Sequence, residues 1–387
     1  MTDIDRRSLI GGAGLAGLTS LVPAEALAQS IAQGNAAPEV AAPVVPEPGT
    51  KYRVPFAVIG LDHAHIYSMA DAMIRGGGVL KAFHATDQKQ IDAFRKRYGG
   101  VPLARSEDEI LNDSQIKLIA AAPVPDLRAP LGIKAMRAGK DVLLDKPAIT
   151  TLKQLADVRK AVRETKRKFA IMYSERLEVR AAVAAGELVQ RGTIGKVVQT
   201  VNLAPHRVNA SSRPDWFWDK DRYGGILTDI GSHQADQFLF YTGSKTAKVV
   251  ASQVGNLNWS NKPRFEDFGD MMVTGDGGTG YIRVDWFTPD GLSTWGDGRL
   301  FILGTDGFIE LRKYVDIVGR PGGNHLFVSD RQGTRYMDCS KVPLPFGPQF
   351  ITDVVERSST AQDQDQALLA AELVLTAQKN ATLPVTA

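Results

Sequence analysis

Apolar residues recur along this chain with two different periods. From residue 52 to 173, short continuous apolar runs alternate with stretches of helical spacing. The runs at 54–59, 79–83, 116–122, 142–144 and 169–173 read as buried strands. Between them, 66–74, 91–98, 131–138 and 152–165 place apolar residues three and four apart and read as helices, two of them stopped by Gly99-Gly100 and Gly139. Strand–helix alternation predicts a parallel sheet with crossover helices, and ligands of such sheets gather at the carboxyl ends of the strands.

After Tyr173 the pattern changes. A helix over 180–190 is followed by longer β-type runs at 197–203, 247–254, 270–274, 280–286, 299–303 and 307–311. Turn sequences such as Gly275-Asp276-Gly277-Gly278 join them. One helix, about 232–241, interrupts the series, and 350–379 is helical. The expected architecture is an α/β Rossmann-like domain over 51–172, then an α+β domain over 173–345 with a large, mostly antiparallel open sheet. A C-terminal helical tail, 346–387, packs back on the body.

The first 50 residues do not fit this plan. Arg6-Arg7 precedes a short, Gly-rich apolar stretch, and Ala26-Leu27-Ala28 supplies small residues for cleavage, so 1–28 reads as a twin-arginine signal peptide. The expected address is the periplasm and the expected partner the twin-arginine export machinery. The stretch is too short and too glycine-rich for a membrane span. Gly12-Ala13-Gly14-Leu15-Ala16-Gly17 matches a dinucleotide fingerprint by letter, but follows no strand. Residues 29–50 are rich in Ala and Pro and read as a tether, or as an arm lying along the body.

Composition narrows the classes. The net charge is +3 without a long basic run, which argues against nucleic acid as a partner. Cys339 is the single cysteine, so an intramolecular disulfide and a thiolate metal cluster are both excluded.

Two segments carry candidate chemistry. Asp145-Lys146-Pro147 follows the fourth strand and places a lysine at the carboxyl edge of the sheet. In Gly224-Gly225-Ile226-Leu227-Thr228-Asp229-Ile230-Gly231-Ser232-His233-Gln234-Ala235-Asp236, helical spacing brings Asp229 and Asp236 within reach of His233. A histidine oriented by a carboxylate is a general acid–base arrangement. Trp216, Trp218, Arg222 and Tyr223 precede the glycines, with His206-Arg207 upstream. Aromatic rings beside Arg and His suit a sugar site, and equally suit inward packing. His63 and His65 alternate on an extended loop and could chelate a metal.

Both segments resemble motifs of the glucose-fructose oxidoreductase and inositol dehydrogenase (Gfo/Idh/MocA) family. Asp145-Lys146-Pro147 resembles its Glu-Lys-Pro, and Gly224 to Asp236 resembles G-G-x-x-x-D-x-G-x-H-x-x-D at full spacing. The resemblance implies an NAD- or NADP-dependent oxidoreductase of sugars, polyols or glycosides, exported with its cofactor tightly bound. Lys146 and His233 would be catalytic with Asp229 beside them, Asp236 would join the substrate residues, and a homo-oligomer is expected by analogy. The family's glycine loop here reads Gly60-Leu61-Asp62-His63-Ala64-His65, a variant form in which Asp62 replaces the glycine that approaches the pyrophosphate. With Gly60, Asp62, His63 and His65, the implied cofactor contacts are Asp87, Pro123 and Lys146. The altered loop keeps two alternatives open: a metal-assisted glycosidase or lyase, and a sugar-binding protein without catalysis.

Overall fold

Apolar runs that are buried on both faces build the first sheet. β1 (Val54–Ile59), β3 (Leu118–Ala121), β4 (Asp141–Asp145) and β5 (Phe169–Met172) are almost entirely enclosed, as the inner strands of a sheet covered by helices on each side must be. β2 (Gly78–His84) completes the sheet in the order β2-β1-β3-β4-β5, all parallel. The structure is a computed structural model and describes residues 43–383. The signal-peptide and cleavage-site expectations, the glycine decoy and the first part of the arm lie outside these residues.

The crossover helices are α1 (His65–Arg75), α2 (Gln88–Tyr98), α3 (Glu107–Asn112), α4 (Pro125–Arg137) and α5 (Leu152–Thr165). Strand order reverses between β1 and β3, the place where open α/β sheets form a ligand crevice. Gly60 and Pro123 end those two strands against each other. A Cβ on Gly60 would lie 2.8 Å from Pro123, and its φ of +78° is one that glycine adopts without strain.

The second sheet has eight strands. They are β6 (Val197–Pro205), β7 (Ala247–Gly255), β8 (Phe268–Gly275), β9 (Gly278–Asp285), β10 (Arg299–Gly304), β11 (Phe308–Arg312), β12 (His325–Asp330) and β13 (Gly333–Asp338). Their order is β13-β12-β11-β10-β6-β9-β8-β7, antiparallel except where β6 pairs with β9. Burial alternates along β6, β10 and β11, so one face is covered and the other is open. α6 (Ser174–Leu177) leads out of β5, and α7 (Arg180–Gln190) follows it. α8 (Lys220–Tyr223), α9 (Ile226–Asp229) and α10 (Gly231–Thr242) come between β6 and β7, with α10 packed on β6 and β9.

Two sequence expectations change. β12 and β13 were not anticipated, because β13 is an exposed, polar edge strand without an apolar face. The tail is two helices, α11 (Phe346–Glu356) and α12 (Gln364–Asn380), rather than one. Arg357 breaks it with φ 60°, and Asp353 accepts from the backbone N–H groups of Thr360 and Ala361. Residues 43–50 lie along the body at this end of the arm, where the Glu47 N–H donates to Arg75 O and Pro46 lines a surface hollow. Among the described residues, no helix is long and apolar enough to cross a membrane. Cys339 is a buried free thiol.

Candidate active site

The turn after β4 organises one wall of the site. Asp145 ends that strand with no exposed surface, and its carboxylate receives four donors. Oδ2 meets His63 Nδ1 at 2.7 Å and Arg128 Nη2 at 3.0 Å. Oδ1 accepts from His65 Nδ1 at 2.9 Å and from the Lys146 N–H at 2.8 Å. Burial alone would raise its pKa; Arg128, then His65 and His63, overcome this and hold the group well below the usual carboxylate range. Arg128 also donates to the carbonyls of Pro123, Lys146 and Pro147, tying the ends of β3 and β4 together.

With its Nδ1 on the carboxylate, His63 keeps Nε2 as the ring acceptor. Burial, His65 and Arg128 push His63 down to about 3, so it is neutral near pH 7. The three groups His63, His65 and Asp145 do lie close enough together to frame an ion. Yet Asp145 already balances a buried guanidinium and has no lone pair in excess for a cation. The metal alternative for His63 and His65 therefore lacks its carboxylate ligand.

The opposite wall comes from α9 and α10. Lys146 Nζ reaches Asp229 Oδ1 at 3.0 Å, which links the carboxyl edge of the first sheet to the second domain. Burial would raise the Asp229 pKa, but Lys146 holds it below the usual range. His233 has no exposed surface, and neither ring nitrogen has a hydrogen-bond partner among the described residues. Its ring centroid lies 6.4 Å from that of His65. Burial is the largest influence on its pKa and lowers it well below the ordinary value, so the imidazole is neutral near pH 7.

The carboxylates expected to orient His233 are engaged elsewhere. Asp229 pairs with Lys146, and Asp236 is bound bidentately by Arg176 at 2.5 and 3.0 Å. Asp236 is fully buried in that pair and is not available to substrate, which corrects its assignment. The proposed sugar shelf also resolves into packing. Tyr223 is buried beside Phe217 and Phe265, and its hydroxyl accepts from the Glu266 N–H. Trp218 lies against Trp259 and Phe265, and Trp216 against Phe217. Arg222 pairs with Asp126 at 2.9 Å, at the start of α4. His206 is buried between Trp286 and Trp295, with Nε2 unpartnered.

Around the altered loop, Asp62 is half-buried and engages the Val124 N–H and the Gln90 side chain. Burial raises its pKa against the pull of Arg128. α1 begins beside it without a side-chain cap. Asp87 stands beyond the end of β2 and caps α2, accepting from the Gln90 N–H at 2.9 Å.

Sequence reading missed Arg128, Glu175 and Lys313. Arg128 falls in the first turns of α4, which starts at Pro125, ahead of the expected 131. Glu175 follows β5 directly, and its place at a strand's carboxyl end was the signal available.

Comparison with known proteins agrees with this geometry. Residues 54–173 match the model of the oxidoreductase family with NAD-binding Rossmann fold, and residues 182–310 match that of the GFO/IDH/MocA C-terminal domain. The solved structure of an oxidoreductase from Erwinia carotovora atroseptica SCRI1043 is 46% identical, with a TM-score of 0.83, over 86% of this chain and 99% of its own. D-xylose dehydrogenase of Paenarthrobacter nicotinovorans is 27% identical over 33% of this chain and 34% of its own length. Levoglucosan dehydrogenase, solved with NADH and levoglucosan, has the same fold at 18% identity and a TM-score of 0.70, covering 85% of this chain and 98% of its own. The chain spans less than half the length of the first curated relatives, 44% and 43% for two uncharacterized oxidoreductases of Schizosaccharomyces pombe. By its two matched domains and its near-complete alignment with the Erwinia protein, the chain belongs to the Gfo/Idh/MocA family of oxidoreductases.

Proposed function

We propose that this protein is an exported NAD(P)-dependent oxidoreductase that acts on a carbinol carbon of a sugar, polyol or glycoside. One observation carries the reading. A fully buried, unpartnered His233 stands at the carboxyl edge of a parallel sheet, with the Lys146–Asp229 pair beside it. The relatives add direction, since their names include D-xylose dehydrogenase, 1,5-anhydro-D-fructose reductase and levoglucosan dehydrogenase.

The residues present fit a dinucleotide. α1 starts without a side-chain cap at the β1 end of the crevice, where the positive end of a helix favours a phosphate, although its Ile66 and Tyr67 N–H groups already donate to His63 O and Ala64 O. Asp62, the residue that would oppose the phosphate, is drawn toward Val124 and Gln90. Gly60, His63, His65, Pro123 and Lys146 would hold the cofactor, with Asp87 at the position of the ribose-contacting acid. Bound there, the nicotinamide supplies a hydride acceptor or donor.

The chain's own residues handle the proton. His233 takes the hydroxyl proton of the substrate on a ring nitrogen, and the O–H bond breaks as the N–H bond forms. Lys146 donates to the same oxygen and stabilises its negative charge. Asp229 holds the ammonium in place. His63, neutral on Asp145, offers its Nε2 acceptor to a neighbouring hydroxyl or amide group.

Purified protein is expected to release nicotinamide dinucleotide on denaturation, or to melt at higher temperature with added NAD or NADP. A preparation that releases none, and whose melting point neither cofactor moves, overturns the reading. Stoichiometric metal in such a sample would move the assignment to a metal-assisted glycosidase or lyase.

Export rests on Arg6-Arg7 before a weak apolar run. Changing both to lysine is expected to keep the protein out of the periplasm. Fractionation that finds the double variant there at wild-type level refutes the twin-arginine route.

A further inference from the structure

A strap from the second domain, residues 219–225, crosses to the first domain beside the crevice. Its landing place is polar and braced. Asp126 stands in the first turn of α4, three residues after Pro123, which closes on Gly60 where the strand order reverses. The Asp126 carbonyl accepts from Gln154 Nε2, and Gln154 Oε1 accepts from the N–H and the hydroxyl of Thr150. Asp126, Gln154 and Thr150 therefore move as one piece with the carboxyl edge of the first sheet.

The strap is fixed at its root to the second domain. Asp219 caps α8 and accepts from Arg264 Nε at 2.8 Å, and the Lys220 N–H donates to Arg264 O at 3.0 Å. Trp218, just before it, packs on Trp259 and Phe265. Towards its far end the contacts with the first domain step inward. Arg222 Nε lies 2.9 Å from Asp126 Oδ2, and these two side chains are 42% and 24% exposed. Gly224 passes Thr150 so closely that a Cβ would lie 3.2 Å from its Cγ2, with φ at +92°. Deeper still is the Lys146–Asp229 pair, 6% and 16% exposed.

The order of burial sets the order of opening. An exposed ion pair contributes little and is screened by salt, whereas a more buried pair is screened much less. Separation of the two domains along this seam starts at Arg222, while Lys146–Asp229 still holds.

We propose that Arg222 and Asp126 form a latch between the two domains, and that its opening sets how fast a ligand seated in the crevice is released. Release steps of this kind limit turnover in many enzymes. That the ligand is a nicotinamide dinucleotide rests on the oxidoreductase reading; the latch itself does not.

The test is a double-mutant cycle on the full chain: Arg222→Ala, Asp126→Ala, and both together, with Arg222→Lys as the variant that keeps the charge. Hydrogen exchange of each purified protein is read at the amides of 124–128 and 220–227. Each alanine variant is expected to exchange about two- to fivefold faster than wild type in both segments, the scale of an exposed ion pair. The double variant should be no faster than the quicker single one, because the two side chains act through one contact. Arg222→Lys should stay near wild type. The second readout is the release of pre-bound NADH or NADPH into an excess of the oxidised form, followed by loss of fluorescence. Release should quicken by the same two- to fivefold with the same non-additivity. Added salt should narrow the gap between wild type and the double variant. Exchange that no variant changes, or single effects that simply add, overturns the latch. Faster exchange with unchanged nucleotide release overturns its control of the ligand. A protein that binds neither nucleotide strikes the oxidoreductase reading instead, and the exchange cycle still decides the latch.

Discussion

Replacing His233 with alanine is expected to remove most turnover while the protein still folds. His233 makes no side-chain hydrogen bond among the described residues, so its loss strands no partner. The cost to stability is that of a cavity beside Tyr173 and His65, not of a broken network. Turnover has more to lose, since general acid–base groups contribute on the order of 10²–10⁴-fold. Lys146→Ala should be as damaging to rate, and more damaging to stability. It leaves the half-buried Asp229 carboxylate without the ammonium at 3.0 Å that holds its pKa down. If both groups act on one substrate oxygen, their effects do not add, and the double variant should be little slower than the worse single one. Melting temperature and turnover on the same preparations separate catalysis from packing. A folded His233→Ala protein with near-normal turnover removes the residue from the mechanism.

How much of this was legible in the sequence depends on the range of the interaction. Strands buried on both faces announce themselves as apolar runs, so β1, β4 and β5 fall close to where periodicity puts them. α5 and α7 end where their apolar spacing ends. The segment around His233 is equally local, because residues three and four apart on a helix share a face. That locality also misled. Spacing brought Asp229 and Asp236 within reach of His233, but each found a stronger cation far away in the chain, Lys146 and Arg176. No pattern within a helix reveals a guanidinium 60 residues distant. The aromatic cluster was undecidable for a related reason. Trp218 and Tyr223 would look the same in sequence whether they faced a sugar or Phe265. The five-stranded sheet, the mostly antiparallel second sheet and the family were within reach. The partners of each charged side chain were set by tertiary packing.

The largest loss of stability is expected from Asp145→Asn. This carboxylate holds a buried arginine, two histidines and a backbone N–H, and joins the loop after β1 to the turn after β4. Asparagine has nearly the same shape but no charge, so Arg128 becomes a buried cation facing a neutral amide. Breaking a buried pair in this way costs about 3–5 kcal/mol. The lower end applies here, because Arg128 keeps its bonds to the Pro123, Lys146 and Pro147 carbonyls. The dependence on pH gives the test a second axis. Asp145 is held well below an unfolded aspartate near ~3.9, so its stabilisation is complete above that value. It is lost as pH falls below about 4 toward the folded pKa. His63, pushed down to about 3, acts in the same direction: the unfolded chain takes up its proton below about 6.5 while the folded chain resists it. Wild type should therefore weaken progressively between about pH 6.5 and 3, most steeply below 4. The asparagine variant keeps the histidine contribution and lacks the aspartate one. Denaturant midpoints of the two proteins should thus differ widely at pH 7 and converge below pH 4. Equal midpoints at pH 7, or a gap that persists unchanged down to pH 3, would show that Asp145 is not the charge on which this wall of the site depends.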